Sequence, residues 1–89
     1  MAVVNIPGGW TPSTEGLSSL IFCGQTVGSV LEQLTTAHPD LHKRIFHGER
    51  IAGWVNVYVA DQDVRWTGGL ATEVGPDSTM TILPALAGG

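Results

Sequence analysis

Val27, Val30, Leu31 and Leu34 recur at i, i+3, i+4 and i+7 and so form one apolar stripe on a helix of about three turns. Thr26 has the right chemistry for its N-cap, Pro39 stops it after His38, and Ser29, Glu32, Gln33 and Thr36 fall outside the stripe. A helix with one apolar face must lay that face on something, and the remaining apolar segments of the chain read as strands. The stripe must therefore face a sheet.

The strands are found by alternation and by their boundaries. Residues 2–6 are rich in β-branched side chains and end at Pro7-Gly8-Gly9. Residues 7–16 form a loop whose Trp10 is expected to cover the core. A second strand is predicted over 17–23, closed by Gly24 and antiparallel to the first, with Cys23 a buried, inert thiol inside it. After the helix, 41–46 reads as a short helical turn and 48–53 as a loop. Val55, Val57 and Val59 alternate with polar or small neighbours as a strand with one buried face. Residues 61–63 then read as a turn, 64–66 as a short strand, and 68–71 as a further turn or helical twist. In the last strand Met80 and Ile82 face inward, which leaves Thr79, Thr81 and Leu83 outward. This element order predicts an α+β domain with several topologies open.

At 89 residues the chain is one small domain with little room for a deep pocket of its own, which argues against a self-contained enzyme. Its 43% hydrophobic and 13% charged residues suit a packed fold and not a disordered chain. Eight acidic against four basic residues provide no footprint for phosphate backbones or anionic lipid, so neither nucleic acid nor membrane is an expected partner. The N-terminal residues lack the regions of a signal peptide and no apolar run approaches a membrane span, which makes the expected location the cytoplasm. The lone Cys23 permits no internal disulfide, cysteine-based zinc site or iron–sulfur cluster. His38, His42 and His47 lie near Asp40 and Glu49, but Pro39 separates the first two and no His-Glu-x-x-His pattern occurs, so no metal site is expected. Gly8-Gly9 and Gly68-Gly69 match neither phosphate-binding pattern and read as turns.

The chemistry concentrates after the last strand. Pro84 cannot donate to a ladder, and Ala85-Leu86-Ala87-Gly88-Gly89 follows it with little to pack, so 1–84 is expected to be the folded domain and 85–89 a loose tail. A carboxylate on Gly89, with no bulk at Gly88 or Gly89, can be threaded down a narrow channel, whereas a frayed end would have no such use. Leu83, one step before the tail, together with Pro84 and Leu86, is a candidate surface for a partner's grip. Lone exposed leucines are also common, and the sequence leaves the two readings of Leu83 level.

From Trp54 onward, Val55-Asn56-Val57-Tyr58-Val59, Asp61-Gln62-Asp63-Val64-Arg65, Gly68-Gly69-Leu70 and the ending Ile82-Leu83-Pro84-Ala85-Leu86-Ala87-Gly88-Gly89 resemble the ubiquitin-like sulfur carrier proteins, such as the molybdopterin-synthase small subunit and the thiamine-pathway carrier. They look most like the mycobacterial type that serves cysteine biosynthesis. Where the family often has an Asp-Gly-Asp turn, this chain has Gly75-Pro76-Asp77-Ser78, a departure that leaves the tail chemistry alone. The resemblance implies a β-grasp fold, a mixed sheet around one main helix, with a Gly-Gly tail. It implies that an ATP-dependent adenylating enzyme activates Gly89, that a sulfur donor then makes the thiocarboxylate, and that Ala87, Gly88 and Gly89 enter the partner's active site. The recipient would be a sulfur-accepting biosynthetic enzyme. In the cysteine branch this is a pyridoxal-phosphate synthase on which the thiocarboxylate adds to an aminoacrylate, with a tail-processing metalloprotease releasing cysteine. The chain itself would be a co-substrate with no catalytic site or cofactor of its own. Two other readings stand beside this one: a ubiquitin-like modifier that passes the same activated carboxylate to lysines, and a non-covalent interaction domain in which Gly-Gly is incidental.

Overall fold

The computed structural model describes residues 2–84. Its main sheet takes strands β1 (Ala2–Asn5), β2 (Ser19–Phe22), β5 (Val55–Val59), β6 (Gln62–Asp63) and β7 (Thr79–Pro84) in the order β2-β1-β7-β5-β6. A two-stranded hairpin, β3 (Phe46–His47) with β4 (Arg50–Ile51), stands apart from it. β1 and β7 run parallel, while β1–β2, β5–β7 and β5–β6 are antiparallel. Helix α1 (Val27–Ala37) crosses one face. This is the expected mixed sheet wrapped round one helix.

Each element is explained by its side chains. All four stripe residues of α1 are fully buried, at roughly 1.5–3 kcal/mol apiece for a completely buried aliphatic group. Thr26 caps the helix, its Oγ1 accepting from Ser29 N–H at 3.2 Å, and the Gln33 amide donates to the Cys23 carbonyl, tying the helix to the end of β2. Across the sheet, Val4, Val55, Val57, Met80 and Ile82 form the opposing wall. Trp10 closes one end from a 3-10 segment over Gly8–Thr14, buried as expected. Helix α2 (His42–Ile45) hangs beneath, anchored by buried Leu41 and Ile45.

Four local readings need correction. Residues 64–66 form a 3-10 turn instead of a strand, because the Asp63 carboxylate accepts the Arg65 N–H at 2.9 Å and bends the chain out of the ladder. The β5–β6 turn is Ala60-Asp61, one position earlier than read; both residues have positive φ, at 50° and 69°, the geometry of a type I′ hairpin, so Gln62 and Asp63 belong to the strand. Residues 48–53, read as a loop, contribute β4 to the small hairpin. Cys23 is exposed, because β2 ends at Phe22 on the edge of the sheet and the apolar run does not carry the thiol inward.

Candidate functional site

Strand β7 fixes the position of Leu83 and Pro84, the last two described residues. It is hydrogen-bonded on both edges, to β1 through Val3↔Thr79, Val4↔Met80 and Asn5↔Thr81 and to β5 through five pairs from Val59↔Met80 to Val55↔Pro84. Met80 and Ile82 are fully buried, as the alternation predicts. A central strand with two pinned edges and two buried anchors cannot slip without turning its apolar set to solvent. Leu83 and Pro84 are therefore held at a defined point. Leu86, Ala87, Gly88 and Gly89, the other predicted site residues, lie outside the described residues.

The two residues at this point look to opposite sides. Leu83 is on the outer face and 45% exposed. Its cross-strand partner is Asn56, whose Oδ1 accepts from Arg65 Nη2 at 2.9 Å, and the same guanidinium pairs with Asp63 at 2.7 Å. The Asp63 carboxyl is held below the usual carboxylate range, first by the Arg65 hydrogen bond, with burial opposing. Leu83 thus stands beside a polar, charge-paired network. The other exposed aliphatics of this face, Val3 and Ile21, pair with each other at the far end, where Val3 also meets Thr79.

Pro84 continues the inward series of Met80 and Ile82, but beyond the core. It lines a groove of about 370 Å³ with Trp10, Lys43, Arg44 and Trp54. The Arg44 guanidinium lies 5.9 Å from the Trp10 ring centroid, and the Trp54 indole N–H donates to the Arg44 carbonyl at 2.9 Å. The His47 ring packs against Trp54 with ring centroids 5.6 Å apart. Two tryptophans and two cations therefore surround the root of the tail. The sequence reading placed Trp10 over the core but gave no role to Lys43, Arg44 or Trp54. A signal was present: three of the four cationic residues, Lys43, Arg44 and Arg50, fall within eight positions of an otherwise acidic chain.

Among the described residues no cluster of three His, Cys, Asp or Glu side chains is placed to hold a metal ion, and no helix is long and apolar enough to cross a membrane. His42 is engaged with Phe46, ring centroids 5.1 Å apart.

Comparison with known proteins agrees with this geometry. A model of the ThiS family matches residues 13–89. The sulfur carrier protein CysO of Mycobacterium tuberculosis is 38% identical over 89 residues, covering 97% of this chain and 96% of the relative. A chain in the crystal structure of the Amycolatopsis orientalis BexX/CysO complex superposes with a TM-score of 0.93 at 38% identity, each chain covered completely. The small archaeal modifier protein 1 of Methanosarcina acetivorans superposes with a TM-score of 0.86 at 25% identity, covering 99% of this chain and 95% of the other. With the family model spanning most of its length and the β-grasp sheet in place, the chain belongs to the ThiS family of ubiquitin-like sulfur carriers.

Proposed function

We propose that the chain carries sulfur as a thiocarboxylate on Gly89 and delivers it to a biosynthetic enzyme of cysteine or a related sulfur metabolite. The observation that carries this reading is the family match running through residue 89 onto a strand whose last two described residues are locked in register. A carboxylate is a poor acyl donor because oxide would have to leave. An ATP-dependent adenylating enzyme joins it to AMP with release of pyrophosphate, and a sulfur donor then attacks the acyl carbon. The C–S bond forms, the C–O bond to AMP breaks, and AMP departs. Sulfur held this way is nucleophilic but cannot diffuse off as sulfide.

In this reading Ala87, Gly88 and Gly89 enter the partner's channel, and Leu83, Pro84 and Leu86 meet its mouth. The chain supplies the acyl group and the recognition surface, with ATP consumed by the activating enzyme. Pyridoxal phosphate, in the cysteine branch, belongs to the recipient, and a metalloprotease releases the cysteine and regenerates the tail. The 38% sequence identity to CysO of Mycobacterium tuberculosis supports the cysteine branch.

The test is the intact mass after incubation with ATP, sulfide and the adenylating enzyme of the same cell. The expected gain is the replacement of one oxygen by sulfur, absent when Gly89 is deleted. The likeness to an archaeal modifier favours a second reading, transfer of the same acyl group to lysine. Larger lysine-linked adducts with no thiocarboxylate would decide for it.

A further inference from the structure

From the groove at the root of the tail we infer a docking site for an acidic segment at the channel mouth of the enzyme that takes the tail, an inference that rests on the carrier reading above. Pro84 is the last residue of β7, and the five residues from there to Gly89, where the carrier reading puts the chemistry, reach at most about 18 Å fully extended. An enzyme that brings Gly89 to its reacting centre must therefore approach Pro84 closely, and Pro84 is itself a wall of the groove. The other walls are Trp10, Lys43, Arg44 and Trp54.

The charge of these walls runs against that of the chain. The formal net charge is −4, yet two of its four cations stand here. Arg65 is spent on Asp63, the one ion pair among the described residues, so Lys43 and Arg44 keep their charge for an incoming group. The helix that presents them is anchored by Leu41 and Ile45, both fully buried, and Trp54 is fixed by its hydrogen bond to the Arg44 carbonyl. Aromatic walls beside two cations suit a carboxylate-bearing segment with apolar neighbours. The tryptophans supply contact area, and the cations steer encounter and set register.

The experiment measures thiocarboxylate formation by the full chain with the adenylating enzyme of the same cell, over a salt series. Lys43→Glu is expected to raise KM about tenfold with kcat unchanged and to flatten the salt dependence. Arg50→Glu makes the same charge change outside the groove, and should raise KM by less than about twofold. Lys43 is exposed, and thermal unfolding of each variant establishes that the fold is kept. Equal KM changes for the two variants, or none for Lys43→Glu, would overturn the docking site while leaving the carrier reading intact. If the unaltered chain gains no sulfur, the carrier reading itself fails. Nuclear Overhauser contacts between the Leu86 side chain and the indole rings of Trp10 and Trp54 in the free protein would assign the groove to the chain's own tail and overturn the inference. A concentration-dependent dimer abolished by Lys43→Glu would assign it to a second copy.

Discussion

The two faces of β7 share one backbone and obey different rules. On the inner face Met80 and Ile82 are completely buried against the α1 stripe and leave no choice of partner or position. On the outer face Thr79 and Leu83 are exposed and Thr81 is half-buried, and Leu83 has only the polar Asn56 opposite it. The inner face fixes the register of β7, and in the proposed carrier reading the outer face is left to meet a partner. Stability and that proposed recognition are separated by a single residue step, as the two-residue period of a strand allows. The groove beside Pro84 joins the two: its Trp10 belongs to the core, whereas Lys43, Arg44, Trp54 and Pro84 are exposed past the core's end.

Breaking the inner face should give the largest effect. Ile82→Ala removes a fully buried side chain between two paired strands and is expected to cost about 3–4 kcal/mol, a large part of the roughly 5–10 kcal/mol available to a domain of this size. Thermal unfolding would show a fall of about 15–25 °C, and Ile82→Val a fall of about 4–8 °C. A change of only a degree or two for Ile82→Ala would mean that this face is not the anchor of the tail.

The outer face should respond in the opposite way. Leu83→Ala leaves melting within about 0.5 kcal/mol of the parent, but raises the KM for thiocarboxylate formation about 5–30-fold if Leu83 is gripped by a partner. Loss of stability with an unchanged KM would make Leu83 an ordinary surface leucine.

How far the sequence carried follows the same division. The inner face was legible because burial imposes period: the α1 stripe, the Val55-Val57-Val59 alternation and the Met80/Ile82 pair all sit where the pattern places them. What failed was decided by single local contacts with no period. The bend after Asp63 depends on one carboxylate accepting one N–H, and the hairpin turn uses Ala60 at positive φ, where composition suggests Gly or Asn. Cys23 was misplaced because an apolar run implies burial in a central strand, whereas β2 is an edge. The groove was only hinted at by the cations clustered over 43–50, because Trp10, Lys43, Arg44, Trp54 and Pro84 come from four separate stretches and meet only in three dimensions.

The turn offers a gentler way to sharpen the comparison, because register decides which face every residue of a strand occupies. Val59 pairs with Gln62 across Ala60-Asp61, and β5 in turn pairs with β7. An alanine held at φ 50° is strained by about 1 kcal/mol. Ala60→Asn with Asp61→Gly supplies the residues a type I′ turn favours and retains the Ala60-position N–H that donates to the Thr79 carbonyl. The pair should stabilise the domain by about 1 kcal/mol in urea unfolding, with KM unchanged. A destabilised protein would mean that the strain is compensated by something Ala60 does there.

The smallest effect belongs to the pair that flanks Leu83. Hydrogen bonding to Arg65 lowers the Asp63 pKa below its unfolded value, so the folded state binds this proton less readily than the unfolded chain does. The resulting stability is fully present above the unfolded carboxylate pKa of about 3.9 and is lost as pH falls through the lower folded value. Asp63→Asn should therefore shift the urea midpoint at neutral pH by less than the turn variant does, since Arg65 is well exposed and water screens the pair. The difference from the parent should close as pH falls from 7 to about 2. A gap that persists at low pH would show that asparagine does not reproduce the hydrogen bond by which the Asp63 oxygen accepts the Arg65 N–H, and the outer face would then owe its order to a backbone bend more than to charge. KM measured on the same variant separates the two uses of this network. If Arg65 freed from Asp63 leaves KM unaltered, the pair serves only to hold Asn56 opposite Leu83, and recognition on this face rests with the leucine.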